Sequence, residues 1–268
     1  MKRIDYCGKV AIVTGVTSGL GREIACELIK KYGCVVYGVA RSVKKLEAMR
    51  KELGPDKFMC CCMDVSDRKS WEKLRIYFEN TDTSPHILIN CAGILPKFAS
   101  VEGTDIEAFE SVMEINYLSC VYGCKIIMPI MKAGGAVVNV SSASALCTFA
   151  GIGAYSASKA ALERFTESLS VERRDISVSC VMPGFIKTNI MASHGVNEKE
   201  KSLIDRFSSD PYKVAKKVIK RAGKRKRRIV IGADAHLMSG MFRLFPTLTP
   251  KIISWFLRKT KMEMFNKI

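Results

Sequence analysis

Acidic residues are scarce relative to basic ones in this sequence of 268 residues. Against 26 aspartates and glutamates stand 43 lysines and arginines, which leaves a formal net charge of +17. Residues 213–228 hold ten basic residues and no acid. This run lacks the interleaved aromatic residues, and the DNA-binding motif, that would indicate a nucleic-acid partner. It is interpreted as a solvated helix face and turn, or as a region that attracts an anionic cofactor, substrate or membrane surface.

Apolar segments that could enter a membrane are also scarce. The first fifteen residues lack the apolar stretch of a signal peptide, so we expect a cytoplasmic protein. The longest uncharged run, residues 133–158, could cross a bilayer on length alone. It contains Asn139, four glycines and several serines, however, and is predicted to be a buried strand followed by a loop.

The eleven cysteines lack a metal-binding pattern. Cys60, Cys61 and Cys62 are contiguous, so on a strand they would alternate between faces and could not all bind one ion. The others are scattered along the chain. Without an export signal a disulfide framework is improbable, and we expect reduced core cysteines and no metal.

Apolar strand patterns alternate with helical patterns along the whole chain, without a linker, repeat or low-complexity tract. This alternation predicts an α/β fold, a doubly wound, seven-stranded parallel sheet in a single domain with helices on both faces. In such sheets ligands bind beyond the carboxyl ends of the strands. Strands are predicted at 9–15, 34–40, 57–65, 86–93, 136–142, 176–184 and 227–232, and helices at 19–33, 42–53, 67–79, 105–132 and 154–173.

The first predicted strand ends in the glycine-rich sequence TGVTSGLG, residues 14–21. Gly15 permits a tight turn off the strand. Gly19 and Gly21 allow the next helix to begin close to a bound pyrophosphate, whose charge would meet free backbone N–H groups. The position between a strand and a helix is the context that a dinucleotide-binding turn requires.

The second strand ends at Arg41, where an acid would bind the ribose 2′-hydroxyl of NAD(H). A guanidinium there would pair with a 2′-phosphate, which favours NADP(H); the alternative is a solvated arginine. Ser18 and Ser42 could add hydroxyl contacts, and Ser42 is also a plausible helix N-cap. Asp64, which ends the third strand, would meet the adenine ring or cap the next helix.

Tyr155 and Lys159 lie four residues apart in the helix after the fifth strand, and therefore on one face. A phenol ordinarily titrates near ~10, and a neighbouring ammonium stabilises its anion. Tyr155 could then act as general acid toward a carbonyl or general base toward an alcohol. The fifth strand ends in Ser141 and Ser142, one of which could hold the substrate oxygen.

These motifs together resemble those of the classical short-chain dehydrogenase/reductase family. TGVTSGLG fits TGxxxGxG, YSASK fits YxxxK, and PGFIKT (183–188) resembles the family's PG…T motif. NCAG (90–93) resembles NNAG with Cys91 in place of an asparagine, a departure expected to cost some stability and to change the chemistry little. The resemblance runs from about residue 6 to residue 232. We expect a Rossmann-type NADP(H)-binding and catalytic domain over residues 1–232, with a C-terminal extension, 233–268, that is helical and packed on the same domain.

The resemblance also implies roles for individual residues. The catalytic serine would be Ser142, thirteen residues before Tyr155, and Asn116 would hold a water that relays protons from Lys159. Lys159 would also bond the nicotinamide ribose, and Thr188 and the backbone near Ile186 would bind the carboxamide. The expected cofactor-binding residues are Gly15, Thr17, Ser18, Gly19, Leu20, Gly21, Arg41, Ser42, Asp64, Val65, Asn90, Ala92, Gly93, Tyr155, Lys159, Pro183, Gly184, Ile186 and Thr188.

Residues 185–210 correspond to the segment that covers the substrate in the family. Their apolar members indicate a lipophilic pocket or ordinary packing of this lid on the sheet. The expected substrate contacts are Ser142, Leu95, Leu146, Phe149, Tyr155 and Phe185.

The end of the chain departs from the glycine-rich end of bacterial 3-oxoacyl-carrier-protein reductases and resembles the ends of reductases that act on steroids and long-chain ketones. Residues 249–261 could form an amphipathic helix that rests on a membrane, docks on a partner subunit or covers the core. Its apolar residues, expected to be buried, are Ile252, Ile253, Trp255, Phe256 and Leu257.

The expected function is NADP(H)-dependent interconversion of a ketone and a secondary alcohol on a lipophilic substrate, with hydroxysteroids as the leading class. The enzyme alternative is a long-chain 3-oxoacyl or 3-ketosphinganine type reductase at a membrane surface. The non-enzyme alternative is a dinucleotide-sensing scaffold, against which the complete set of catalytic residues argues. Members of the family usually assemble as homodimers or homotetramers, and the resemblance implies the same for this protein.

Overall fold

A single seven-stranded parallel sheet organises the molecule, as the alternating pattern predicts. The computed structural model describes residues 3–187, 202, 205–206, 208–260 and 265. The strand order is β3-β2-β1-β4-β5-β6-β7, so the direction of winding reverses between β1 and β4. The strands are β1 Val10–Thr14, β2 Val35–Ala40, β3 Phe58–Cys62, β4 Ile87–Asn90, β5 Ala136–Val140, β6 Ser177–Pro183 and β7 Arg228–Ile231.

Helices cover both faces of the sheet, and nine α-helices lie in the described part of the chain. One π-helical turn, Glu114–Leu118, separates α4 from α5 and interrupts the single helix predicted over 105–132. The helices are α1 Gly19–Tyr32, α2 Val43–Leu53, α3 Arg68–Asn80, α4 Ile106–Met113, α5 Ser119–Ile127, α6 Gly153–Glu172, α7 Pro211–Gly223, α8 Ala233–Leu244 and α9 Thr249–Lys259.

The core is divided into two layers because successive strand side chains point to opposite faces. In β1, Val13 packs in a buried cluster with side chains of α1, α2 and α7, whereas Ile12 packs with α3 and α5 on the other face. Trp71 of α3 is fully buried and donates from Nε1 to the carbonyl of Val65, 2.8 Å away, which anchors α3 under the sheet edge.

Several local signals act as the sequence suggests. Ser42 caps α2 by accepting a hydrogen bond from the N–H of Lys45, and Asp67 caps α3. The chain between residues 133 and 158 forms β5, a loop and the start of α6, so its uncharged composition reflects burial. Among the described helices, none combines the length and the hydropathy that crossing a bilayer requires.

Candidate active site

A cavity of about 440 Å³ lies beyond the carboxyl ends of the strands, on both sides of the β1–β4 reversal. This is the position at which doubly wound sheets bind ligands. The predicted residues that line it are Gly15, Thr17, Ser18, Gly19, Leu20, Gly21, Arg41, Asp64, Val65, Ala92, Gly93, Leu95, Ser142, Phe149, Tyr155, Lys159, Pro183, Gly184, Phe185 and Ile186.

The backbone of the glycine turn after β1 is closely packed, both within the turn and against the residues that follow β4. Gly15 adopts φ +70°, and a β-carbon on Gly21 would overlap the Gly15 carbonyl oxygen. Thr14 Oγ1 accepts hydrogen bonds from the N–H groups of Cys91 and Ala92, each 2.9 Å long, and so ties the turn to β4. Gly19, Leu20 and Gly21 line the cavity, and the Ser18 side chain does not cap α1, so the first N–H groups of this helix remain for an anion.

Arg41 and Asp64 both line the cavity at the β2–β3 side. The Arg41 side chain is exposed and has no ion-pair partner among the described residues, so its charge is available to a ligand or to solvent. Asp64 Oδ1 accepts from the N–H and the hydroxyl of Ser66, at 2.9 and 2.7 Å. The alternative of Asp64 as the cap of α3 is wrong, because Asp67 caps that helix.

The first turns of α6 bring Tyr155 and Lys159 together beneath the end of β5. Lys159 Nζ lies 5.8 Å from the centre of the Tyr155 ring and donates to the carbonyl oxygen of Val140, 3.0 Å away. Lys159 is only 4% exposed, so water screens its charge little at this short distance from Tyr155.

The two serines at the end of β5 have different hydrogen bonds. The hydroxyl of Ser141 donates to the carbonyl of Lys159, 2.8 Å away, and is thereby committed to holding α6. The Ser142 hydroxyl oxygen accepts from the N–H of Ser144 at 3.1 Å, which leaves its proton for a substrate oxygen. Of the two serines, Ser142 therefore has the hydroxyl proton that is not already donated to the backbone.

Asn116 lies in the π-helical turn, fully buried behind the cavity wall. Its side chain accepts from the N–H of Ile94 at 2.8 Å and donates to the Ile94 carbonyl at 2.9 Å. It also donates to Ser158 Oγ, which in turn donates to the Tyr155 carbonyl. A β-carbon on Gly93 would lie 3.1 Å from Asn116 Oδ1 and 3.3 Å from Lys159 Nζ, so both predicted catalytic groups flank this glycine.

Some predicted residues do not line the cavity. Asn90 faces the interior, where its amide donates to Asn139 Oδ1 at 2.8 Å, so the expected cofactor contact is not formed by this side chain. Leu146 packs with Cys180 and Met182, away from the cavity, and so is not placed as a substrate contact. Ser42 serves as the α2 cap, and Thr188 lies outside the described residues.

Asp234, at the start of α8, lines the cavity although the sequence analysis assigned it no role. Its Oδ2 accepts from the N–H of Phe185 at 2.7 Å, and the carboxylate occupies the space that a β-carbon on Gly184 would need. It therefore fixes the turn after β6. The signal in the sequence is an acid two residues after Gly232, at the end of a strand. Other cavity residues without a predicted role include Phe98, Ile152 and Met238.

Apart from Asp234, the side of the cavity nearest β6 and α8 is mainly apolar, and it is joined to the C-terminal extension. Phe149, Ile152 and Phe265 form a buried cluster there, with Tyr155 and Phe185 packed against it. In α9, Ile253 and Leu257 pack on the same cluster, and Ser254 Oγ accepts from the N–H of Ala150 at 3.0 Å. The expectation of five buried α9 residues is corrected, because Ile252, Trp255 and Phe256 are exposed.

Cys91, the departure from the NNAG motif, also lines the cavity. Burial raises the pKa of its thiol to about 12, opposed by the charge of Lys159, so the thiol is protonated at neutral pH. All eleven cysteines are free, and no group of three potential ligands in the described part of the chain could hold a metal ion.

The basic run at 213–228 lies on the outer side of α7 and in the turn that follows. Val214 and Val218, four residues apart, are buried in one cluster with side chains of α1, while Lys216 and Lys217 between them are exposed. Arg228 reaches Glu163, a 2.9 Å ion pair that links β7 to α6. No residue of this run lines the cavity, which agrees with a solvated helix face.

The parallel sheet, the glycine turn and the Tyr–Lys pair at the sheet edge are features of nucleotide-dependent oxidoreductases. Residues 9–199 match the family model described as short chain dehydrogenase. The chain therefore belongs to the short-chain dehydrogenase family, and it is an oxidoreductase of the type that acts on CH–OH groups.

Two relatives within this family are similar in sequence to most of the chain. The chain is 32% identical over 259 residues to the 3-ketodihydrosphingosine reductase of Bos taurus, which covers 90% of this chain and 76% of that protein. It is 31% identical over 210 residues to 11-beta-hydroxysteroid dehydrogenase A of Sesamum indicum, which covers 77% of this chain and 60% of that protein.

Two solved structures show the same fold. A short chain dehydrogenase/reductase of Burkholderia phymatum in complex with NAD is 21% identical with a TM-score of 0.77, over 90% of this chain and 96% of that one. A short chain dehydrogenase of Burkholderia cenocepacia J2315 in complex with NADP is 24% identical with a TM-score of 0.76, over 92% and 96%. Neighbours of this fold thus bind either nucleotide.

Proposed function

We propose that the protein is an NADP(H)-dependent oxidoreductase that interconverts a ketone and a secondary alcohol on a lipophilic substrate, with hydroxysteroids as the leading class. The observation that carries this proposal is the continuous cavity along the sheet edge. Its wall includes Arg41 at β2, Tyr155 and Lys159 beneath β5, and apolar side chains near β6 and α8.

The chain's own residues fit a nicotinamide dinucleotide. The turn at Gly15 and Gly21 leaves no room for a side chain, and the free N–H groups at the start of α1 suit a pyrophosphate. The exposed guanidinium of Arg41 suits a 2′-phosphate, which supports NADP(H) over NAD(H). When bound, the nicotinamide would supply or accept the hydride.

The remaining chemistry belongs to the catalytic side chains. Tyr155 would donate its hydroxyl proton to a carbonyl oxygen during reduction and take it back from the alcohol during oxidation. The buried Lys159 ammonium favours the charge that the phenol oxygen acquires after it gives up the proton. Ser142 would donate a hydrogen bond to the substrate oxygen as charge develops there.

The substrate assignment rests on the apolar wall near β6 and α8. Phe149, Phe185 and Leu95 line the cavity there, and few polar side chains accompany them. The similarity to a hydroxysteroid dehydrogenase supports a steroid. A second candidate, a long-chain 3-oxoacyl or 3-ketosphinganine type reductase, is supported by the alignment with the bovine sphingolipid enzyme over 90% of the chain.

A substrate panel tests the proposal. The full-length protein is assayed with ketosteroids, bile acids, 3-oxoacyl thioesters and 3-ketosphinganine, each with NADPH and with NADH. We expect the highest kcat/KM with a ketosteroid and NADPH. A preference for the long-chain ketones selects the second candidate, and binding of nucleotide without turnover of any compound would favour the dinucleotide-sensing scaffold.

We also propose that the protein works in the cytoplasm as a homodimer or homotetramer, since members of this family are usually oligomeric. Sedimentation velocity of the full chain tests the assembly. A single monomeric species at micromolar concentration would contradict it.

A further inference from the structure

An apolar surface lies on the outer side of α8, α9 and the turn between them. It contains half of the large apolar side chains that are exposed in the described part of the chain, within a stretch of twenty residues. Their exposures run from 46% for Ile252 to 72% for Leu244. We name this the outer apolar surface; its members are Leu237, Leu244, Phe245, Leu248, Ile252, Trp255 and Phe256.

Helix α9 is apolar on two sides. Ile253 and Leu257, four residues apart, pack inward on the cluster beside the cavity. Ile252, Trp255 and Phe256, spaced by three and four, form the exposed stripe on the other side. A helix that is apolar on both sides is ordinarily buried, and a contiguous exposed apolar patch marks an interaction surface. The inner contacts explain why α9 folds here; they do not explain the outer stripe.

The charges around this surface indicate what it binds. Residues 235–260 contain no acid, whereas Arg243, Lys251, Arg258 and Lys259 are all exposed. Lys259 Nζ lies 4.2 Å from the centre of the Trp255 ring, so cation and aromatic ring are presented together. A two-fold contact through this surface would bring like charges together, and residues 235–260 offer no acid to pair them, which is unfavourable. Anionic lipid headgroups offer the opposite charge, and aromatic residues beside Lys and Arg are typical of interfacial helices.

We propose that the outer apolar surface docks the protein on the interface of a bilayer that contains anionic lipids. Trp255 and Phe256 enter the boundary between headgroups and acyl chains, and the four basic side chains contact the headgroups. The inner side of α9 packs on the apolar wall of the cavity, so docking brings that wall near the lipid phase. A lipophilic substrate could then pass from the lipid phase to the cavity. This delivery is the only part of the proposal that rests on the proposed function.

Vesicle binding by the full-length protein tests the proposal. Sedimentation with phosphatidylcholine vesicles that contain phosphatidylserine is compared with pure phosphatidylcholine and repeated at high salt. We expect binding to the anionic vesicles that salt weakens, because screening removes the electrostatic part. The double variant W255S/F256S should bind at least about tenfold more weakly, since it removes two large apolar side chains from the interface. Failure to bind anionic vesicles would overturn the proposal.

Matched variants test whether vesicle binding depends on the outer apolar surface or on nonspecific hydrophobic and electrostatic attraction. I76S/V171S removes two exposed apolar side chains elsewhere, from α3 and α6, and should not change binding. K251E/R258E and K213E/K217E alter net charge equally, and only the α9 pair should reduce binding strongly. An equal loss from both charge pairs would mean unspecific attraction to the +17 protein and would overturn the assignment.

Fluorescence and assembly provide independent readouts. The chain has two tryptophans, and Trp71 is fully buried, so a blue shift on adding vesicles reports on Trp255. An unshifted spectrum would contradict insertion. If W255S/F256S changes the oligomeric state while vesicle binding stays the same, the surface is a contact between copies and the proposal is wrong. Turnover of a short, water-soluble ketone should be unchanged in this variant, which distinguishes failure of docking from failure of the proposed activity.

Discussion

The Tyr155 hydroxyl is the single group on which proton transfer depends in the proposed mechanism. Tyr155→Phe keeps the ring beside Lys159 and removes the hydroxyl, so turnover should fall by at least about a hundredfold, the contribution typical of a general acid. Cofactor affinity, measured by fluorescence titration, should stay nearly unchanged. Tyr212→Phe, on the exposed side of α7, is the control and should be fully active. Substantial turnover by Tyr155→Phe would remove this residue from the mechanism.

Arg41 determines the expected cofactor preference. Arg41→Asp replaces a cation that would pair with the 2′-phosphate by an anion that repels it, so the ratio of kcat/KM for NADPH to that for NADH should fall. A charge-assisted hydrogen bond contributes about 1.5–3 kcal/mol, which corresponds to roughly a tenfold to hundredfold change. Arg50→Asp, exposed on α2, makes the same charge change away from the cavity. Equal ratios in both variants would show that Arg41 is only a surface charge.

Asp234 holds the turn after β6, and its removal should affect the substrate side of the cavity. Asp234→Ala leaves the N–H of Phe185 without its acceptor. We expect a higher KM for the substrate with a smaller change in kcat, because the group positions the wall and does not touch the reacting atoms. Asp234→Asn keeps an acceptor oxygen and should restore most of the affinity. Equal losses in both variants would contradict a hydrogen-bonding role.

The close approach within the glycine turn fixes where α1 begins. In Gly21→Ala the new methyl meets the backbone of Gly15, which cannot move without shifting the turn. We expect a loss of about 1–3 kcal/mol in the free energy of unfolding, as for other overpacked sites, and weaker nucleotide binding. Gly240→Ala is the matched control: nothing lies within 4 Å of its β-carbon position, and alanine favours the helix. Thermal melts with and without NADPH measure both effects.

The elements themselves differ in how far sequence predicts them. All seven strands are predicted because buried parallel strands are continuously apolar. The π-helical turn at Glu114–Leu118 is not, because it depends on the contacts of Asn116 with Ile94, a residue distant in sequence. The orientation of α9 also escapes prediction, since apolar residues on both sides leave the buried one undetermined. Asn90 and Asn139 illustrate the same limit: sequence placed Asn90 at the cavity, and its partner in the core turned it inward.

The sequence predicts the cavity residues that follow the strands better than it predicts the cavity residues from other elements, and the reason is physical. Motif residues after the strands must reach the same sheet edge whatever surrounds them, because parallel strands share their carboxyl ends. Phe98, Met238 and Asp234 come from a loop and from a helix whose packing only the tertiary structure determines. The sequence therefore predicts the motif residues that line the cavity and misses these three other lining residues.

Across the whole molecule, thiols are distributed by burial and should react accordingly. Only Cys7 and Cys62 are exposed, while burial raises the pKa of Cys61 and of Cys91 to about 12. A thiol reagent at neutral pH should modify two cysteines rapidly in the native protein and all eleven in denaturant. Dithiothreitol should leave the midpoint of unfolding unchanged, because all eleven thiols are free. A large decrease in that midpoint would reveal a disulfide.

The π-helical turn makes the chain sensitive to its length at one place. A π-helical turn holds one residue more than an α-helical turn, and each residue of an α-helix advances the side chains by about 100°. Deleting Ile115 or Tyr117 would therefore let α4 and α5 join into one regular helix with good local geometry. It would also rotate Asn116 away from Ile94 or break the packing of α5. The variant would contain a shorter and more regular helix, and its enzymatic activity would be lower.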